Sequence, residues 1–217
     1  MLQACLLAVI AGYADTIGYL RYEAFAGLMT GNTIFLGIEI ATAKWAAAAF
    51  HGAIILVFLL GVIVARVVLR LGWPVWLALS LTAALLALCG LLGQANGALV
   101  LAFAMGIQNS AANRFNGVAL NTVFITGNLQ KLGEGLFVWL WSRLRGEAQP
   151  ERSDGVAIFA LVWLGYAIGA AVGAFGHARL GYPLIVPALM LPFVMMRPEE
   201  FAAIKAKAQQ ILNRGST

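Results

Sequence analysis

Met29-Thr30-Gly31-Asn32-Thr33 and, in the second half of the chain, Thr126-Gly127-Asn128 set the same polar tripeptide at matching points of two apolar stretches. Glycine loosens a helix, and threonine and asparagine offer hydrogen-bonding groups. Hydrocarbon supplies no water to satisfy such a break, so it persists only when buried in protein or lining a cavity. The pairing predicts a duplicated membrane protein whose helices are broken at the two motifs around a polar central site.

Composition points the same way. Hydrophobic residues make up 62% of the chain and charged residues 11%, with a mean hydropathy of +0.88, whereas soluble domains are about half apolar and a quarter charged. Twenty-four glycines in 217 residues suit membrane helices, where glycine permits close backbone approach. The apolar segments lack the strict alternation of a β-barrel strand. The expected fold is all-α: a polytopic integral membrane helical bundle of six to eight helical segments in contact with the lipid bilayer.

Several chemistries lack support. Cys5 and Cys89 lie inside apolar segments and read as small hydrophobes, and His51 and His177 have no partner at metal-ligand spacing. No metal or other cofactor is called for. No Ser/His or Cys/His pairing, no HExxH and no persuasive carboxylate pair suggests an enzyme. The net charge of +5 follows from basic residues spread over loops and tail, as membrane topology predicts, so nucleic acid is not an expected partner.

Apolar segments fall at 3–20, 28–43, 49–70, 74–93, 97–113, 119–142, 156–178 and 181–196. Those at 49–70, 74–93, 119–142 and 156–178 are long enough to cross about 30 Å of hydrocarbon at ~1.5 Å per residue; the rest are short or polar-interrupted. The halves align. Gly12-Tyr13-Ala14-Asp15-Thr16 resembles Gly106-Ile107-Gln108-Asn109-Ser110, the two Thr-Gly-Asn motifs coincide, Leu36-Gly37 meets Leu132-Gly133, Gly61 meets Gly169 and Pro74 meets Pro183. This divides the chain into a first membrane repeat at 1–96, a second at 97–197 and an amphipathic tail helix at 198–217. Such repeats mark transporter folds; parallel and inverted arrangements both fit. If all eight segments cross, the side holding the termini carries eight Lys/Arg (Lys44, Arg143, Arg145, Arg152, Arg197, Lys205, Lys207 and Arg214) against five opposite (Arg21, Arg66, Arg70, Arg114 and Arg179). That places the termini in the cytoplasm.

The candidate substrate-binding residues are Asp15, Thr30, Gly31, Asn32, Asn109, Asn113, Thr126, Gly127 and Asn128, with Arg114, Lys131, Glu39 and Glu134 as secondary candidates. A carboxylate such as Asp15 inside an apolar segment is costly unless it faces a cavity or a partner. Should each motif begin a half-helix, free N–H groups and the positive dipole end would favour an anionic or hydrogen-bond-accepting ligand. Glu134 lies three residues after Lys131, the spacing of a same-face ion pair. Gly165, Gly169 and Gly173 form a close-packing face, either within the chain or across a homodimer.

In Gly12-Tyr-Ala-Asp15-Thr-Ile-Gly18, Met29-Thr-Gly-Asn-Thr33, Gly106-Ile-Gln-Asn-Ser110 and Thr126-Gly-Asn-Leu129, the chain resembles the bacterial YoaK family, also called DUF1275 or UPF0700, over nearly its whole length. The resemblance implies a small polytopic inner-membrane protein of no settled activity. The residues themselves suggest a transporter of a small polar solute with a site between the repeats. A channel, or a membrane scaffold acting through the tail and glycine face, is the alternative.

Overall fold

The computed structural model describes residues 2–111, 114–115, 118–119, 125–146 and 153–195. Eight helices run through them: α1 (Leu2–Tyr22), α2 (Met29–Ala41), α3 (Trp45–Arg70), α4 (Val75–Cys89), α5 (Gln94–Ala111), α6 (Ile125–Arg145), α7 (Ser153–Arg179) and α8 (Ile185–Met195). Between α5 and α6, β1 (Arg114–Phe115) pairs antiparallel with β2 (Val118–Ala119). The chain is a helical membrane bundle.

Local sequence sets the breaks. Gly72 adopts φ +79° after α3, a conformation glycine takes at no steric cost, and Pro74 in extended geometry caps α4. Three helices, Leu2–Tyr22, Trp45–Arg70 and Val156–Arg179, are long and apolar enough to cross a membrane. This corrects the lengths read from hydropathy. The first segment qualifies; α4 is only 15 residues, because Pro74 and Gly90 bound it; and α6, as long as α1, carries Lys131, Glu134, Arg143 and Arg145. A turn at 90–93 joins α4 to α5, which begins at Gln94. The tail at 198–217 lies outside the described residues.

Helices α1 and α5 occupy the centre, buried on nearly every side. On α1 pack α7, α8 and α5; on α5 pack α3 and α4; α2 lies outside against α3 and α6 outside against α7. Glycines fix the closest crossings. A Cβ on Gly12 would strike the carbonyl of Tyr166 and one on Gly169 that of Val9, while between α3 and α5 a Cβ on Gly61 would strike the carbonyl of Phe103 and one on Gly106 that of Phe58. Cys5, Val9 and Tyr13 of α1 meet Gly165, Gly169 and Gly173 of α7 in turn, so these two helices run parallel. The Gly165–Gly169–Gly173 face is therefore filled by α1, so of the two packings the sequence allows, the structure shows the one within the chain.

Helices α1 and α5 run antiparallel. Gln108 Nε2 donates to the Leu7 carbonyl near one end (3.3 Å), and Gln94 Nε2 donates to the Arg21 carbonyl near the other (3.5 Å). Tyr13 is buried, its hydroxyl donating to the Pro183 carbonyl (3.0 Å).

Candidate functional site

The segment 23–28 between α1 and α2 gathers most of the polar chemistry of the first half. After Tyr22 the chain doubles back along α1. Gly18 admits it, since a Cβ there would lie 2.7 Å from the Ala24 carbonyl oxygen. The backbone N–H groups of Gly27 and Leu28 then donate to Asp15 Oδ1 (2.6 and 3.1 Å). Asp15 lies seven residues before Tyr22, so the chain has returned about 10 Å at ~1.5 Å per residue. Helix α2 starts at that depth and leaves in the direction of α1, as the stack of Phe35 on Tyr19 records (6.4 Å). At 13 residues it spans roughly 20 Å, two-thirds of a hydrocarbon core. Alone it is too short to cross that core.

Asp15 is buried (2% exposed). Its second oxygen accepts the Tyr166 hydroxyl from α7 (2.7 Å), so both oxygens face donors. The positive end of the α2 dipole adds to their favourable field. Asn32, fully buried, clamps the same segment from the other side: Oδ1 accepts the Phe25 N–H (2.9 Å) and Nδ2 donates to the Phe25 carbonyl (2.8 Å). Gly31 is required beneath this clamp, because a Cβ would come within 2.6 Å of the Phe25 ring. Thr30 is exposed. The first Thr-Gly-Asn motif thus stands in the first turn of α2, and the second lies at the described start of α6.

His51, on α3, is a functional candidate that sequence reasoning passed over. Its Nδ1 lies 2.8 Å from Glu39 Oε2 on α2, and its Nε2 lies 3.1 Å from the Glu23 carbonyl. The rings of Phe35 and Phe50 flank it at 5.2 and 5.3 Å. The signal was a lone imidazole early in an apolar run, opposite the carboxylate of the preceding helix across a tight turn.

The second half supplies a separate cluster. Asn109 sits beside Gln108, whose amide bonds to Leu7, eight residues before Asp15 on α1 and so about 12 Å along the axis. The structure therefore sorts the expected single site into two clusters along α1 and α5. Gln108 Oε1, Asn109 Oδ1 and Ser110 Oγ are buried without a hydrogen-bond partner among the described residues. Asn128 is buried, whereas Thr126 and Gly127 are exposed. Asn113 lies outside the described residues, and Arg114 is described only through its backbone in β1. The Lys131–Glu134 pair expected from spacing gives way to other partners: Lys131 Nζ sits over the Phe159 ring (5.3 Å) and Glu134 accepts the Gln130 amide (2.9 Å). Among the described residues no three His, Cys, Asp or Glu side chains are grouped to hold a metal ion.

The family described as "Protein of unknown function (DUF1275)" matches residues 3–196. The chain is similar to UPF0700 transmembrane protein RA0705 of Rhizobium meliloti (strain 1021), 29% identical over 170 residues covering 77% of this chain and 72% of that protein. It is also similar to UPF0700 transmembrane protein YoaK of Bacillus subtilis (strain 168), 27% identical over 206 residues covering 88% of this chain and 90% of that one. No solved structure matches. With a match running from the first turn of α1 through α8, the chain belongs to the DUF1275 family of membrane proteins.

Proposed function

We propose that this protein is a small-molecule transporter of the bacterial inner membrane, built from two inverted halves of four helices each, with α2 and α6 re-entrant rather than crossing. The observation that carries the reading is the pairing of equivalent helices. Exchanging α1–α4 with α5–α8 turns the α1–α7 contact into α5–α3, α2–α3 into α6–α7 and α4–α5 into α8–α1. The exchange also works residue by residue. Gly12 against Tyr166 becomes Gly106 against Phe58, and Gly169 against Val9 becomes Gly61 against Phe103. Phe35 against His51 becomes Lys131 against Phe159. Because α1 and α5 are antiparallel, the halves are related by inversion, an arrangement that recurs in transporters with sites at the repeat interface.

Within this reading Asp15 and Asn32 position the first half-helix, since the hydrogen bonds described for them go to neighbouring protein groups. Among the described residues the oxygens of Gln108, Asn109 and Ser110 lack a protein donor, and they meet a small polar solute or its water. Charge supports the orientation. With α2 and α6 re-entrant, Arg66, Arg70, Arg114, Arg143, Arg145, Arg152, Arg197, Lys205, Lys207 and Arg214 fall on the face of the termini, and Arg21, Lys44 and Arg179 on the other. The termini are cytoplasmic by the positive-inside bias.

The test is a thermal-shift screen of purified protein against polar metabolites and ions, followed by counterflow of each hit in proteoliposomes. Saturable counterflow, weakened in Asn109→Ala, supports the carrier. Flux far above carrier turnover favours a channel, and hits without any flux reject transport.

A further inference from the structure

The Glu39–His51 pair holds a proton whose place the geometry defines. A backbone carbonyl only accepts, so the 3.1 Å contact of Nε2 with the Glu23 oxygen puts a hydrogen on Nε2. The 2.8 Å contact between Nδ1 and Glu39 Oε2 requires a second one between them, whichever atom carries it. Removing either proton sets two lone pairs against each other and breaks one contact. One contact ties half-helix α2 to α3; the other ties α3 to Glu23, a non-glycine residue at φ +57° where α1 gives way to the re-entrant segment.

We infer that Glu39 and His51 form the coupling-proton site of this protein, loaded from the face opposite the termini and linked to the position of α2 and segment 23–28. The inference rests on the transporter reading above. The pair is shielded, with side-chain exposures of 15% and 6%, and the rings of Phe35 and Phe50 flank the imidazole. Few other charges face it. Helix α5 carries no ionisable residue, Cys89 on α4 is buried elsewhere, beside Tyr22, Arg21 lies over the Tyr22 ring, and Glu23 and Lys44 are exposed. The second half has no such pair: in the alignment of the halves Glu39 corresponds to Gly135 and His51 to Phe159. One half-helix is thus held by a proton and its counterpart is not, which gives the two faces different control.

His177→Asn leaves His51 the sole imidazole, so nitrogen NMR of the full chain in nanodiscs reads its protonation directly. Spin labels at Thr33→Cys and Leu71→Cys, with Cys5 and Cys89 replaced by alanine, report the position of α2 against the far end of α3. The expected result is that the pair loses one proton on alkalinisation and that the label distance changes over the same interval. Glu39→Gln and His51→Gln, each folded by thermal shift, should abolish the pH dependence of the distance. A His51 signal unchanged with pH, or proton loss without movement of α2, overturns the proposal. No solute is needed, so this outcome is separate from a failure of counterflow, which overturns transport alone.

Discussion

Replacing Asp15 by alanine should loosen the segment 23–28 more than any other single substitution on α1. The carboxylate accepts from Gly27 N–H, Leu28 N–H and Tyr166 hydroxyl. Alanine orphans all three donors, each at about 1–3 kcal/mol where water is absent. Allowing for water reaching the half-buried Leu28, the expected loss is about 3–5 kcal/mol. Asparagine keeps one oxygen for the two N–H groups and turns its amide toward the Tyr166 oxygen, so only charge assistance is lost, about 1–2 kcal/mol. Tyr166→Phe removes one interhelical bond, worth about 1–2 kcal/mol in a membrane. The assay is unfolding in mixed detergent micelles, run as a double-mutant cycle. Tyr166→Phe should cost its full amount in wild type and nothing, or give a gain, beside Asp15→Ala, where the hydroxyl is already orphaned. Equal costs in both backgrounds, or Asp15→Ala within about 0.5 kcal/mol of wild type, would refute the idea that Asp15 anchors the re-entrant segment.

Other substitutions probe different parts of the account. Alanine at Gly12, Gly61, Gly106 or Gly169 should each destabilise by about 1–3 kcal/mol, because the added Cβ strikes backbone; alanine at Gly37 or Gly52, where nothing lies within 4 Å, should be neutral or stabilising by up to about 1 kcal/mol. Thermal unfolding of this set checks both halves of the statement. Asn32→Ala should raise hydrogen exchange at Phe25 without changing that of α5; unchanged exchange at Phe25 would show that the clamp is idle. Phe at Tyr182 removes the donor–acceptor contact with the Gly90 N–H (3.0 Å) and should fray the end of α4, costing about 1 kcal/mol.

How much was legible beforehand depended on what each residue signals locally. The glycine pairs Gly12/Gly106 and Gly61/Gly169 were found by aligning the halves, and they lie at the two closest helix crossings, since only glycine admits backbone at that distance. Thr-Gly-Asn was read as a break, and the break proves to be the start of a helix, because Asn32 turns back on Phe25 rather than toward a ligand. Hydropathy overrated α4, where Pro74 and Gly90 cut the helix short, and underrated α1, whose buried Asp15 lowers its apolar score while being fully partnered. The Glu39–His51 contact was invisible to motif spacing: it depends on the tight turn at 42–44 that folds α2 against α3.

The most direct test of the inverted arrangement compares two equivalent turns. Lys44→Cys marks the turn between α2 and α3, and Leu144→Cys, 75% exposed, marks the end of α6 before its turn into α7. In a background lacking Cys5 and Cys89, a membrane-impermeant maleimide applied to intact cells should label Lys44→Cys and spare Leu144→Cys, and the order should reverse in inside-out vesicles. Labelling of both positions from the same face would contradict the inversion, because eight full crossings with parallel repeats place these turns together.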